Sequence, residues 1–364
     1  MWYKIQPFDT LFFRDGRPFT MGMKGETWAK NIFPPNPSTI YGAIRSWLIF
    51  EKGTLEDFKK GKFNEELGNP QIKGTLQIKG PFLAKENLYF PAPLDRYTTK
   101  TKKQNHLFAI DFIEKPTIVI SDYSLKNMMM NQIGENIEEA KGYLDIFSLK
   151  DYLENKTYKI QYRENHEFYL IEKKTGIKRN KSTLNAEEGY LYRIPMIRPN
   201  KKVYFYVEVD GLKEYPIQGI VRLGGEGKVV EIEKIQGQPF DLLKEIPFEL
   251  HNRQFKIYLG TPAIFEQGWL PKWIDPKTYE GIYNDIKLKL IACSLGKSIQ
   301  IGGWDLASQK PKPMYRAVPA GSVYYFEVLE KTDPEKILTH FHLKNISDVY
   351  PEEGYGFSLV GVVK

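Results

Sequence analysis

The stretch Val203-Tyr204-Phe205-Tyr206-Val207-Glu208-Val209 reads as a β-strand. Six of its seven residues are β-branched or aromatic, the types that suit a pleated, packed surface. Just beyond it, Gly224-Gly225-Glu226-Gly227 marks a turn into a second strand over residues 228–235. Before it, residues 166–172 and 189–196 also carry strand character. Between them runs Lys173-Lys174-Thr175-Gly176-Ile177-Lys178-Arg179-Asn180-Lys181, basic and rich in turn formers. This predicts a β-hairpin over about 166–196 with a cationic tip.

Working outward, residues 2–6 and 10–13 predict a first strand, stopped at Arg14-Asp15-Gly16-Arg17, where Asp-Gly signals a turn. Irregular chain follows to Pro37. Ser38 then suits an N-cap, and Ile40, Ala43, Ile44, Trp47 and Leu48 recur at helical spacing, predicting a helix over 38–50. Residues 75–150 mix short strand-like pieces with a helix around 134–142. In the second half, strands are expected at 255–260, 298–304, 321–329 and 355–363, with helical or irregular chain over 276–292 and a helix at 333–341. Each half thus reads strand, helix, strand, strand, helix, strand. The expected fold class is α+β: two tandem ferredoxin-like (RRM-like) domains with antiparallel sheets. The expected domains are 1–245, with an insertion at about 60–150 and the basic hairpin, and 246–364.

Composition narrows the function. The 364 residues are 41% hydrophobic and 27% charged, as in ordinary globular proteins. The single cysteine, Cys293, lies in the apolar run Leu290-Ile291-Ala292-Cys293, so neither an internal disulfide nor a multi-cysteine zinc site is available. No stretch of about 18 apolar residues offers a membrane span, and the first residues lack a signal-peptide pattern; a cytoplasmic protein is expected. The net charge is +7, unevenly spread. Residues 14–30, 95–106, 156–181 and 297–316 together carry +13, leaving −6 on the rest. Clustered bases attract a polyanion.

Catalytic motifs fail on inspection. Gly227-Lys228 lacks the P-loop glycine, since Arg222 stands there, and the following hydroxyl, since Val229 does. Gly296-Lys297-Ser298 has Ile291 at the glycine position. Gly302-Gly303-Trp304-Asp305 is similar to a cyclase-type hairpin, but Trp304 replaces a carboxylate that a two-metal site needs. The histidines His106, His166, His251, His340 and His342 show no metal-binding spacing. Neither metal nor cofactor is expected. What remains is a binder: Trp28, Tyr97, Tyr158, Tyr162 and Tyr315 lie in or beside the basic windows. Bases that neutralise phosphate, interleaved with rings that stack on nucleobases, suit single-stranded RNA.

Several stretches then resemble one family. They are Pro7-Phe8-Asp9-Thr10-Leu11-Phe12-Phe13-Arg14-Asp15-Gly16-Arg17-Pro18-Phe19; Thr175-Gly176-Ile177-Lys178-Arg179 with Ala186-Glu187-Glu188-Gly189 and Leu191-Tyr192; Arg222-Leu223-Gly224-Gly225-Glu226-Gly227-Lys228; and Gly303-Trp304-Asp305 with Pro311-Lys312-Pro313-Met314 and the run from Arg316 to Phe326. In this order they resemble the third subunits of Cmr complexes, the type III-B CRISPR RNA-guided effectors, within the RAMP superfamily. The resemblance implies two ferredoxin-like domains and a non-catalytic role. It implies contact with the 5′ repeat-derived tag of the guide RNA, docking on the large cyclase-like subunit, and a neighbouring backbone RAMP subunit. The RNA-binding residues expected on this basis are Arg14, Arg17 and Lys24, the hairpin residues Lys178, Arg179 and Lys181, Gly224 and Gly225, and Lys312 with Arg316. Gly321 is expected to permit close backbone approach.

The residues leave two other readings open. One is a metal-independent guide-RNA-processing endoribonuclease using His106 or His166 as its base. The other is a scaffold without RNA contact, holding the large subunit through surfaces such as Asp348, Glu352 and Glu353.

Overall fold

The computed structural model describes residues 1–14, 31–99, 105–117, 124–130, 136–156, 159–180, 182–183, 185 and 186–363. Chain contacts divide it into two compact units, each assembled from three stretches. The first comprises Met1–Lys85, His166–Gln236 and Gln300–Tyr315; the second comprises Glu86–Asn165, Gly237–Ile299 and Arg316–Lys364.

In the first unit, strand Tyr204–Asp210 is central, one residue downstream of its sequence reading. The antiparallel neighbours run 77–84, 204–210, 2–7, 229–235, 218–222. Alternation builds one buried face: Tyr3 lies opposite Val207, and Ile5 lies opposite both Phe205 and Ile232. Helix Pro37–Lys52 covers that face with Ile40, Ile44, Trp47 and Leu48, the 3.6-residue stripe read from sequence. Trp47 meets Tyr3 edge-on at 6.0 Å. The helix is flanked by Asn36 as N-cap, not Ser38, because Pro37 occupies the first turn, where a missing N–H costs nothing. Residues 10–13 form no regular strand; Leu11 only bridges to Ile197.

The predicted hairpin is present, shifted by three residues and with longer strands than expected, pairing Tyr169–Arg179 with Ala186–Pro199. The basic stretch read as its tip is mostly strand through Arg179, and the connection begins at Asn180. Between the strands 204–210 and 229–235 the chain adds a further sheet strand, Gln218–Arg222.

In the second unit the neighbours run 280–283, 286–294, 323–328, 254–259, 357–362, 344–345, each pair antiparallel. Helix Pro334–Phe341 packs Ile337 and Phe341 on a core of Phe255, Ile257, Leu288, Leu290, Phe326 and Val360. The expected helical or irregular segment at 276–292 is a hairpin, Glu280–Tyr283 with Ile286–Ser294. Its exposed–buried alternation at 286–288 has period two, so the strand wins. The helix expected around 134–142 is likewise replaced by strands Ile137–Glu139 and Gly142–Asp145. The fold class is α+β with mostly antiparallel sheets.

The second unit also closes over the opposite side of its sheet. Lys256, 2% exposed, donates to the carbonyl of Tyr152 at 3.2 Å and lies 3.6 Å from that ring's centroid. Asp95, 3% exposed, accepts from Tyr152 Oη at 2.7 Å and Tyr325 Oη at 2.5 Å. Gly321 (φ +89°) does permit a close approach, but by the carbonyl of Ala92; a Cβ there would stand 2.6 Å from that oxygen.

Candidate nucleic-acid interface

Residues 8–14 leave the 2–7 strand and run beneath the glycine turn. Leu11 and Ile197 exchange backbone bonds of 2.7 and 2.8 Å, tying this segment to the hairpin's second strand. Phe12 packs with Met196 and Ile194. The N–H of Phe13 donates to Asn31 Oδ1 at 2.9 Å, and Asn31 Nδ2 donates to the carbonyl of Pro195 at 2.7 Å.

The glycine turn is fastened to the same segment. Gly225 N–H donates to the carbonyl of Phe12 at 2.9 Å. Gly224 has φ +76°, and a Cβ on it would lie 2.4 Å from that carbonyl oxygen. Glycine is required here on both counts, left-handed backbone and close approach. Leu223 N–H closes the turn onto the carbonyl of Lys228 at 2.9 Å.

A charged chain crosses this junction. Asp9 accepts from Lys228 Nζ and from Arg198 Nη1, each at 3.1 Å. Arg198 also holds Glu172 through Nε at 2.6 Å. The backbone N–H of Thr10, and then Lys228, hold the Asp9 carboxyl down at about 2. Asp9 and Arg198 keep about half of their side-chain surface in water. Exposed pairs of this kind are weakly bound to one another, so their bases can exchange a carboxylate for a phosphate.

The structure thus joins the segment carrying Arg14 to Gly224 and Gly225. Arg14 is exposed and bridges to Asn31. Arg179 is exposed and ends its strand opposite Ala186. Lys178 lies on that strand by its backbone. Arg17, Lys24 and Lys181 lie outside the described residues. Lys312 is half-buried, with its N–H on the carbonyl of Gly303 at 2.9 Å. Arg316 is exposed and belongs to the second unit. Asp9, Glu172 and Arg198 were missed by sequence reasoning, as was the role of Lys228 as the partner of Asp9. Asp9 and Lys228 stood inside quoted motifs, but nothing in the sequence pairs positions 9 and 198.

Other marked residues take structural roles. Asp305 accepts from the N–H of Ala307 at 2.8 Å and of Ser308 at 3.3 Å, shaping a turn. His342 caps the helix Pro334–Phe341 and is buried: Nε2 bonds the carbonyl of Leu243 at 2.6 Å, and Nδ1 accepts from Val360 N–H at 3.1 Å. His340 lies within that helix, with Nδ1 3.1 Å from Asn284 Nδ2. His106 Nδ1 is buried, and desolvation lowers that ring's pKa. Burial pushes the Cys293 thiol up to about 12, which suppresses the thiolate. No described helix is long and apolar enough to cross a membrane.

A family model described as CRISPR-associated protein (Cas_Cmr3) matches residues 3–363. No curated protein matches by sequence. Among solved structures, the chain is similar to one in "Cryo-EM structure of the Type III-B Cmr-beta bound to cognate target RNA", with 18% identity and TM-score 0.53, covering 98% of this chain and 95% of that one. It is also similar to a chain in "Cryo-EM structure of the Type III-B Cmr-beta bound to cognate target RNA and AMPPnP, state 1", with 19% identity and TM-score 0.51, covering 89% and 86%. At these identities the likeness is one of fold.

Proposed function

The chain belongs to the CRISPR-associated Cas_Cmr3 family, and on that premise we propose that it is a non-catalytic, guide-RNA-binding subunit of a cytoplasmic type III-B effector complex. In this reading it holds the 5′ repeat-derived tag of the guide RNA and docks on the large cyclase-like subunit, beside a backbone RAMP subunit. Each half is then a ferredoxin-like fold. The strand order 77–84, 204–210, 2–7, 229–235 supports this for the first half, and 286–294, 323–328, 254–259, 357–362 for the second. Among the described residues, each half shows one of the two helices of the full pattern.

The observation that carries the RNA reading is the junction of the 8–14 segment, the glycine turn and the basic hairpin. Arg14, Gly224 and Gly225 line it, and Arg198 and Lys228 join them. Glycine backbone admits a phosphate closely, and the exposed Arg14 and Arg198 guanidiniums, with the partly buried Lys228 ammonium beside them, neutralise it. Arg17 and Lys24 add further RNA contacts in this reading, and Lys178, Arg179 and Lys181 help displace a base of the guide. Lys312 and Arg316 add phosphate contacts. No cofactor enters this role.

The test is RNA binding by the full chain at two salt concentrations, with and without the large subunit. The probes are guide RNA carrying its 5′ tag and the same RNA with a scrambled tag. Tag-dependent, salt-sensitive binding that leaves the RNA intact is expected. Cleaved RNA would favour a nuclease, and binding to neither probe would favour a scaffold.

A further inference from the structure

The first unit's sheet ends at strand Gln218–Arg222, which has one sheet neighbour, 229–235. Two flanking bonds fix its backbone parity. Lys234 N–H donates to the carbonyl of Ile217 at 2.7 Å, and Leu223 N–H donates to the carbonyl of Lys228 at 2.9 Å. Successive residues of a strand turn their N–H and C=O groups to alternate sides. Residues 217, 219, 221 and 223 therefore face the neighbour, and Gln218, Ile220 and Arg222 present theirs outward.

This edge is apolar where edges are usually guarded. Ile220 is 71% exposed and Ile217, just before the strand, is 70% exposed. The sequence Gln-Gly-Ile-Val-Arg holds no lysine and no proline, and its register with 229–235 has no bulge. Lysine, proline and bulges are what ordinarily deter an added strand. The edge is also held firmly: a Cβ on Gly219 would stand 2.5 Å from Trp47 Nε1, so the helix lies directly beneath. On the outward face, Glu231 stands across from Ile220 and Glu233 across from Gln218, both exposed. This acidic pair, in a chain of net charge +7, repels phosphate and complements a basic protein.

We propose that the 218–222 edge receives an extended strand from another protein subunit. Main-chain bonds form at Gln218, Ile220 and Arg222, an apolar side chain packs on Ile220, and a lysine or arginine lies over Glu231 and Glu233. The inference rests on membership of an effector complex and not on the RNA-binding residues.

The test is amide hydrogen exchange on the full chain, free and assembled with the other subunits of its complex. The amides of 218, 220 and 222 are expected to slow at least about tenfold on assembly, the protection that main-chain pairing confers. Gln218→Pro removes no bond to the neighbouring strand, because that N–H faces outward. It and Ile220→Lys are expected to weaken assembly while the free chain's RNA binding stays unchanged. Unchanged exchange in the assembled complex overturns the proposal. So does protection by RNA alone, or protection that grows with the concentration of the free chain, which would mean a second copy. A chain that binds tagged RNA yet joins no complex overturns this inference together with the membership it rests on.

Discussion

Two clusters in this molecule use the same side-chain chemistry in opposite surroundings. At the glycine turn, half-exposed Asp9 meets half-exposed Arg198 and a more covered Lys228. In the second unit, Asp95 and Lys256 gather around Tyr152 with almost no exposure. The Thr10 backbone N–H and then Lys228 hold the first carboxyl ionised, at about 2. Burial drives the Lys256 ammonium down to about 7, against the attraction of Asp95. The difference separates two uses of charge. An exposed network can trade partners with a ligand at small cost. A buried one fixes a loop to a sheet and cannot give up a member.

The largest expected effect tests that separation directly. Asp95→Ala leaves Tyr152 and Tyr325 hydroxyls without their acceptor and Lys256 without its counter-charge. It should cost about 3–5 kcal/mol of stability by chemical denaturation, as for other broken buried pairs. Asp9→Ala should stay within about 0.5 kcal/mol of the parent, as surface substitutions do. Equal losses at the two sites would break the comparison.

A pH scan sharpens it. Lys256 has a folded pKa near 7, below its ordinary 10.5. Between these values the unfolded chain binds the proton and the folded chain does not, so this group's contribution to stability rises with pH. The melting temperature should climb between pH 7 and 8, and Lys256→Met should flatten the climb. A flat profile in the parent would show Lys256 to be charged and paired.

Smaller effects belong to the exposed site. Gly224→Ala forces a Cβ against the Phe12 carbonyl at positive φ, and should cost about 1 kcal/mol or more while weakening RNA binding. Asp9→Asn releases Arg198 and Lys228, and should raise RNA affinity at low salt by a factor of about 2–5, since an exposed pair is worth under about 1 kcal/mol. Filter binding on the two variants distinguishes a lost turn from a lost competitor.

These contrasts also show what the sequence can convey. The strand read at 203–209 and the helix read at 38–50 appear within a residue or two of those limits, because each carries an unbroken period. The hairpin was legible in kind but not in the length of its strands. Its basic residues looked like loop, yet cross-strand pairing carries Lys173 and Lys174 into the ladder. Lys256 was illegible: alternation with Phe255 and Ile257 marks it as a solvent-facing strand position, and only the layer holding Tyr152 shows that this face is covered. The glycine turn was legible as a motif, whereas its link to Asp9 and Arg198 joins positions 189 residues apart and required the fold.

The account turns on the exposed charges meeting RNA. The direct measurement is the salt dependence of tagged guide-RNA binding by the full chain, compared with Arg14→Ala, Arg179→Ala and Lys228→Ala combined. Each lost phosphate contact should reduce the log–log slope by about 0.7, so the triple variant should be about 2 shallower with an unchanged melting temperature. An equal slope and equal affinity in the folded variant would contradict the account.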